Sequence, residues 1–141
     1  MTAVDRTVEV MTAVRAAMLA DASIAALIGT RVYDTAPEKV ASPYMTIGDV
    51  GYVDASSSDS EAQDLEMDVH CWDIPADRAN AKNTANVRAL MGHVRRVFHD
   101  LALAVTGRNV VVCRVIRTIP IVSDADAMHG VVIIRVLAGH E

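Results

Sequence analysis

Aromatic side chains are scarce in this sequence: one Trp, three Tyr and one Phe among 141 residues. A core must therefore be filled by aliphatic groups, and Ala and Val supply much of the 52% that is hydrophobic. Cysteine is nearly absent too. Cys71 and Cys113 could in principle pair, but both lie in apolar, strand-like runs, where a free thiol behaves as a small hydrophobe. Both are read as reduced core residues. Long apolar runs are missing: stretches such as Val131 to Ile134 fall far short of the ~20 residues a membrane span requires. Asp5 and Glu9 interrupt the N-terminal segment, which excludes the apolar centre of a signal peptide. An excess of basic charge is lacking as well. The formal net charge of -5 argues against a general nucleic-acid binder, which needs a basic face to release counterions. Arg95-Arg96 is the only adjacent basic pair, and the seven glycines are too scattered for a phosphate-cradling loop.

What is present suffices for one domain spanning residues 1–141, because a chain of this length buries ~70% of its unfolded surface. Residues 3–20 are expected to be helical: Val4, Val8, Met11 and Met18 recur at three-, four- and seven-residue steps. Val10, Val14 and Leu19 widen the apolar surface beyond one stripe, which points to a second buried face and a candidate subunit interface. Asp21 reads as the N-cap of a short helix carrying Ile24, Leu27 and Ile28, ended by Gly29. Residues 31–33 form a short strand candidate. Pro37 and Pro43 bracket a polar connection.

Residues 44–53 look extended, with Gly48 and Gly51 marking a bulge or bend. The acidic, serine-rich stretch 54–63 has no large apolar residue and is expected to be a mobile loop. The clearest strand follows: Leu65, Met67, Val69 and Cys71 alternate with Asp64, Glu66, Asp68, His70 and Trp72. A long-loop antiparallel hairpin is the simplest way to join the two strands, and Pro75 closes the second. A long helix is expected over 76–99 with Val87, Leu90, Met91, Val94, Val97 and Phe98 inward and Arg88, Arg95 and Arg96 outward. After a turn at 106–109 come a strand at 110–119 stopped by Pro120, a polar loop at 123–126, and a last strand at 130–137. Both apolar runs read as central strands. The fold class is α+β: a mostly antiparallel sheet of four to five strands packed against two main helices.

No group of residues makes a convincing active site. Asp64, Glu66 and Asp68 project from one strand face about 7 Å apart. Such a row could bind a divalent cation or dock a partner, or it could be a solvated face offset by Arg114, Arg117 or Arg135. A straight row does not converge as a coordination shell must, so no metal is assigned. His70 and Cys71 are adjacent on a strand and point to opposite faces. His93 and His99 are six residues apart on a helix and do not share a face. His129 and His140 lack ligand-like spacing, and Ser56, Ser57 and Ser58 lack a nucleophile elbow. A small hydrolase or metal-binding enzyme assembled from distant residues is the remaining enzymatic alternative.

Several stretches, in order, resemble a phage family. They are Ala20-Asp21-Ala22-Ser23-Ile24 through Gly29; Arg31-Val32-Tyr33-Asp34 with Ala36-Pro37; and Ser42-Pro43-Tyr44-Met45-Thr46-Ile47-Gly48. Val69-His70-Cys71-Trp72-Asp73, Arg78 with Ala81-Lys82, and His129-Gly130-Val131-Val132-Ile133-Ile134-Arg135 continue the pattern. Over roughly residues 10–138 the chain is similar to the tail-completion proteins of siphophages and gene transfer agents. The resemblance implies a structural, non-enzymatic subunit without cofactor: a tail-terminator ring, expected to be hexameric, that caps the tail tube and joins it to the head. Its implied partners are copies of itself, the tail tube protein and a head-completion protein, with DNA only passing through the channel. The implied location is the virion tail or neck, assembled in the host cytoplasm, with a head-closure or adaptor ring as the alternative. The fold-defining positions carried over are Pro43, Tyr44, Trp72 and Gly130. Asp54, Asp59, Glu61, Asp64, Glu66 and Asp68 are candidates for a partner-docking or lumen-lining surface.

Overall fold

The structure, a computed structural model, describes residues 3–74, 84–124 and 127–140. Elements follow in the order α1 (Thr7–Ala20), α2 (Ala22–Ile28), β1 (Val32–Tyr33), β2 (Tyr44–Asp54), β3 (Ala62–Asp73), α3 (Ala85–Phe98), β4 (Arg108–Asp124) and β5 (Ala127–His140). The strands form one sheet in the order β1-β2-β3-β5-β4. Only β1–β2 is parallel; the other three pairs are antiparallel. This is the expected α+β architecture. The expected end of β3 at Pro75, the helical residues 76–83 and the loop residues 125–126 lie outside the described residues.

The core lies between the helices and one sheet face. Leu65, Met67, Val69 and Cys71 point into it from β3, and Val132, Ile134 and Val136 from β5, as period-two alternation requires. Val87, Leu90, Val94 and Phe98 face it from α3 as expected, with Met91 and Val97 half-buried at its margin. For α1 the expected face is buried only in part: Met18 and, half-buried, Met11 face the core, but Val8 does not. Val10, Val14 and Met18 are fully buried, whereas Val8 is 72% exposed and Val4 precedes the helix. An alanine-rich helix offers two apolar stripes of similar strength, and the position of the sheet decides which is buried. Val10 and Val14 are thus spent on this chain's own core and are not a free interface, and Leu19 packs half-buried against the same core. Asp21 caps α2 by accepting a hydrogen bond from the Ile24 N–H at 3.0 Å. Gly29 ends α2 at φ 58°, a left-handed value that glycine adopts without a Cβ clash.

The β2–β3 hairpin is longer than expected. Its strands pair out to Asp54 and Gln63, and the turn is closed by Ala55 N–H to Ala62 O at 2.9 Å and Ser57 N–H to Ser60 O at 2.7 Å. Glu61 turns inward at 8% exposure and accepts the Val4 N–H at 2.7 Å, while Gln63 accepts the Arg6 N–H at 3.0 Å. The N-terminal segment is laced to the hairpin in this way, so Glu61 is not part of an outward docking strip. The expected irregularity at Gly48 and Gly51 is present as a register shift between them.

β4 differs from expectation twice. It is an edge strand, not a central one, and it runs through Pro120 to Asp124, with register shifts between Val110 and Val112, between Val115 and Arg117, and between Ile119 and Val122. A proline lacks the N–H a central strand must donate, and only at an edge or a bulge can it sit within a strand. β5 is central as expected, and Gly130 shows why that position admits no side chain. A Cβ there would lie 2.5 Å from Met91 Sδ and 3.0 Å from Val87 Cγ1, so α3 rests directly on the backbone of β5.

Candidate functional site

The helices leave the opposite sheet face open. Alternation on β3 turns Asp64, Glu66, Asp68, His70 and Trp72 to this side, and the antiparallel register sets His129, Val131, Ile133 and Arg135 beside them on β5. Val131 and Ile133 are 4% and 3% exposed, yet they stand apart from the main core. The polar side chains around them therefore cover a thin apolar layer of their own.

At the β1 end of this face, rings stack. Trp72 and His129 lie parallel at 3.7 Å between centroids, Tyr44 stacks on Trp72 at 6.2 Å, and the Tyr33 ring is tilted by 58° against Tyr44 at 6.2 Å. Trp72 Nε1 donates to Thr46 Oγ1 at 3.2 Å, so its one polar atom is satisfied. Burial pushes the Tyr44 phenol above its usual range. Pro43 accepts the Arg31 Nε–H at 2.9 Å through its carbonyl. Of the four positions carried over from the resemblance, Tyr44 and Trp72 stack on each other, Pro43 bonds through its carbonyl, and Gly130 lies against α3.

His70 and His129, expected to be unrelated, are paired: His70 Nδ1 lies 2.7 Å from His129 Nε2. They are 59 residues apart, and only the β3–β5 register joins them. On the other side of His70, Nε2 stands 3.6 Å from Asp49 Oδ2. Asp49 sits within the β2 irregularity at φ 49°, a left-handed value that Asp tolerates better than most residues. The bulge aims its carboxylate back over β3, toward Asp68 and His70. Burial, then repulsion from Asp49, pushes the Asp68 carboxyl above the usual carboxylate range.

The expected carboxylate row is present but divided. Arg135 holds Asp64 through two hydrogen bonds of 2.9 Å, the charge offset anticipated for that strand. Glu66 is exposed and lines an open groove with Asp49, Tyr52, Val53 and Asp68. Asp54 and Asp59 are exposed on the hairpin end. Ser56 and Ser57 donate to Asp54 at 2.7 Å and Asp59 at 2.9 Å, which makes them turn-closing groups with no histidine on them among the described contacts. Cys71 is fully buried behind His70, and burial pushes its thiol up to about 12 and that of Cys113 up to about 11. Both cysteines are free.

The profile of one family, described as Tail completion protein gp17, matches residues 12–139. The chain belongs to that family. Its members are structural tail-completion proteins of a virion, not enzymes. The fold is also that of a chain in the solved virion of a native gene transfer agent particle. The two share a TM-score of 0.78 and 23% identity over 91% of this chain and 92% of that one. No protein with a curated description matches the sequence. This tail-completion protein therefore presents an open sheet face bearing a ring stack and an acidic end, with no catalytic set among its described residues.

Proposed function

We propose that this tail-completion protein is a terminator subunit: copies form a ring, expected to be hexameric, that caps the finished tail tube and carries the joint to the head. The observation that carries the reading is the family match across residues 12–139. A ring needs heterologous contacts, in which two unlike patches of each copy meet. Two unlike surfaces are available. One is the apolar side of α1, where Val8 is exposed beside a groove lined by Met11, Thr12, Arg15 and Ile47. The other is the edge strand β4, which exposes Ile116, Ile119 and Val122. The exposed carboxylates Asp54, Asp59 and Glu66 are the docking or lumen-facing part of the expected acidic set. In a lumen, their charge would repel passing DNA. The tail tube protein and a head-completion protein are the partners of this reading, and the tail or neck of a particle assembled in the host cytoplasm is its location.

Electron microscopy of a deletion mutant tests it. Over-long or unjoined tails are expected; full heads that leak DNA beside normal tails would instead assign a head-closure ring. Neutralising Asp54, Asp59 and Glu66 together is expected to impair joining, and unchanged infectivity would remove the acidic surface from the reading.

A further inference from the structure

We propose that Asp49, Asp68 and His70 form a binding site for one first-row divalent metal ion of the zinc class on the open sheet face. One ligand atom from each residue lies within 4.8 Å of the other two. Ligands sharing a zinc ion at ~2.0–2.2 Å stand about 3–4 Å apart, so a small movement of the exposed Asp49 side chain closes the set. His70 is anchored on its far side. Its ring stacks near Trp72 and His129, and its Nδ1 is held by His129 at 2.7 Å. That leaves Nε2 as the nitrogen turned toward both carboxylates. A metal-bound histidine is commonly fixed in this manner by a partner on its other ring nitrogen.

The carboxylates supply the second argument. Asp49 and Asp68 bring two carboxylates to the same side of His70, and a bound dication would neutralise both. Three protein ligands leave the fourth tetrahedral position for water. The imidazole nitrogen selects zinc or its neighbours, whereas Mg2+ and Ca2+ prefer shells made of oxygen alone. The site is independent of the ring reading and survives its failure. It also differs from the straight row Asp64, Glu66 and Asp68, which does not converge.

The test is calorimetric titration of the full, tag-free, EDTA-stripped protein with zinc chloride at neutral pH. One equivalent is expected to bind, with a rise in melting temperature and no displacement by excess Mg2+. Asp49→Asn, Asp68→Asn and His70→Gln are each expected to weaken binding by at least about tenfold, and His129→Gln by about tenfold through loss of ring orientation. Asp59→Asn serves as the unaffected control. Asp49 is exposed, so Asp49→Asn keeps the test decisive even where a variant at Asp68 or His70 misfolds. No binding at about 100 μM zinc, or equal affinity in wild type and Asp49→Asn, overturns the proposal.

Discussion

Gly130→Ala adds a single methyl group at the point where α3 meets β5. That Cβ would sit 2.5 Å from Met91 Sδ, 3.0 Å from Val87 Cγ1 and 3.2 Å from Ile121 Cγ1. Met91 is half-buried and unbranched, so it can swing aside. Val87 is fully buried, and its branched side chain has one strongly preferred rotamer in a helix. Overpacking of this kind costs ~1–3 kcal/mol. Against it stands a gain of ~0.4–1 kcal/mol, because alanine restricts the unfolded chain where the extended backbone accepts it. The net loss is about 1–2 kcal/mol. For 141 residues, an unfolding entropy of ~2.1 cal/mol/K per residue gives roughly 3 °C per kcal/mol. A fall of about 3–7 °C in Tm follows, read by calorimetry or circular dichroism. The origin of the effect is checked by the double variant with Met91→Ala. If the clash with Met91 is real, the two losses add to less than their sum by at least ~0.5 kcal/mol. A Gly130→Ala Tm within a degree of wild type, or strictly additive losses, would refute the close approach of helix to strand.

Asp21→Ala removes the α2 cap and the 2.8 Å ion pair with Arg96 and is expected to cost about 1 kcal/mol in thermal unfolding at neutral pH. The Arg96 hydrogen bond, opposed by burial and aided by the Ile24 N–H, holds the Asp21 carboxyl below its ordinary 3.8. Its contribution is therefore complete above the ordinary value and lost as pH falls through the depressed one; a difference between variant and wild type that vanishes at pH 6 contradicts this. The thiols of Cys71 and Cys113, pushed up to about 12 and about 11, are expected to resist a disulfide reagent in the native protein at pH 8 and to react fully in denaturant. Rapid native labelling of either cysteine would show that the core opens there.

Local patterning determined much of this fold. Alternation over residues 64–72 of β3 assigned each of those side chains to a face, because a strand's period of two admits only one reading once one face is apolar. Asp21 and Gly29 marked the ends of α2 for a similar reason, since cap chemistry acts within one turn. Gly48 and Gly51 announced the bulge, though not that Asp49 would be turned back by it. What tertiary structure alone decided involves residues distant in sequence. Which stripe of α1 is buried depends on where the sheet lies, so Val10 and Val14 went inward and Val8 outward. Pro120 did not end β4, because that strand found itself at an edge where no N–H was required. Glu61 left the acidic surface because the N-terminal segment came to meet it. The meeting of Asp49, Asp68, His70 and His129 rests on strand register and a bulge. Both are set by how the whole sheet packs on its helices, and no spacing along the chain encodes them.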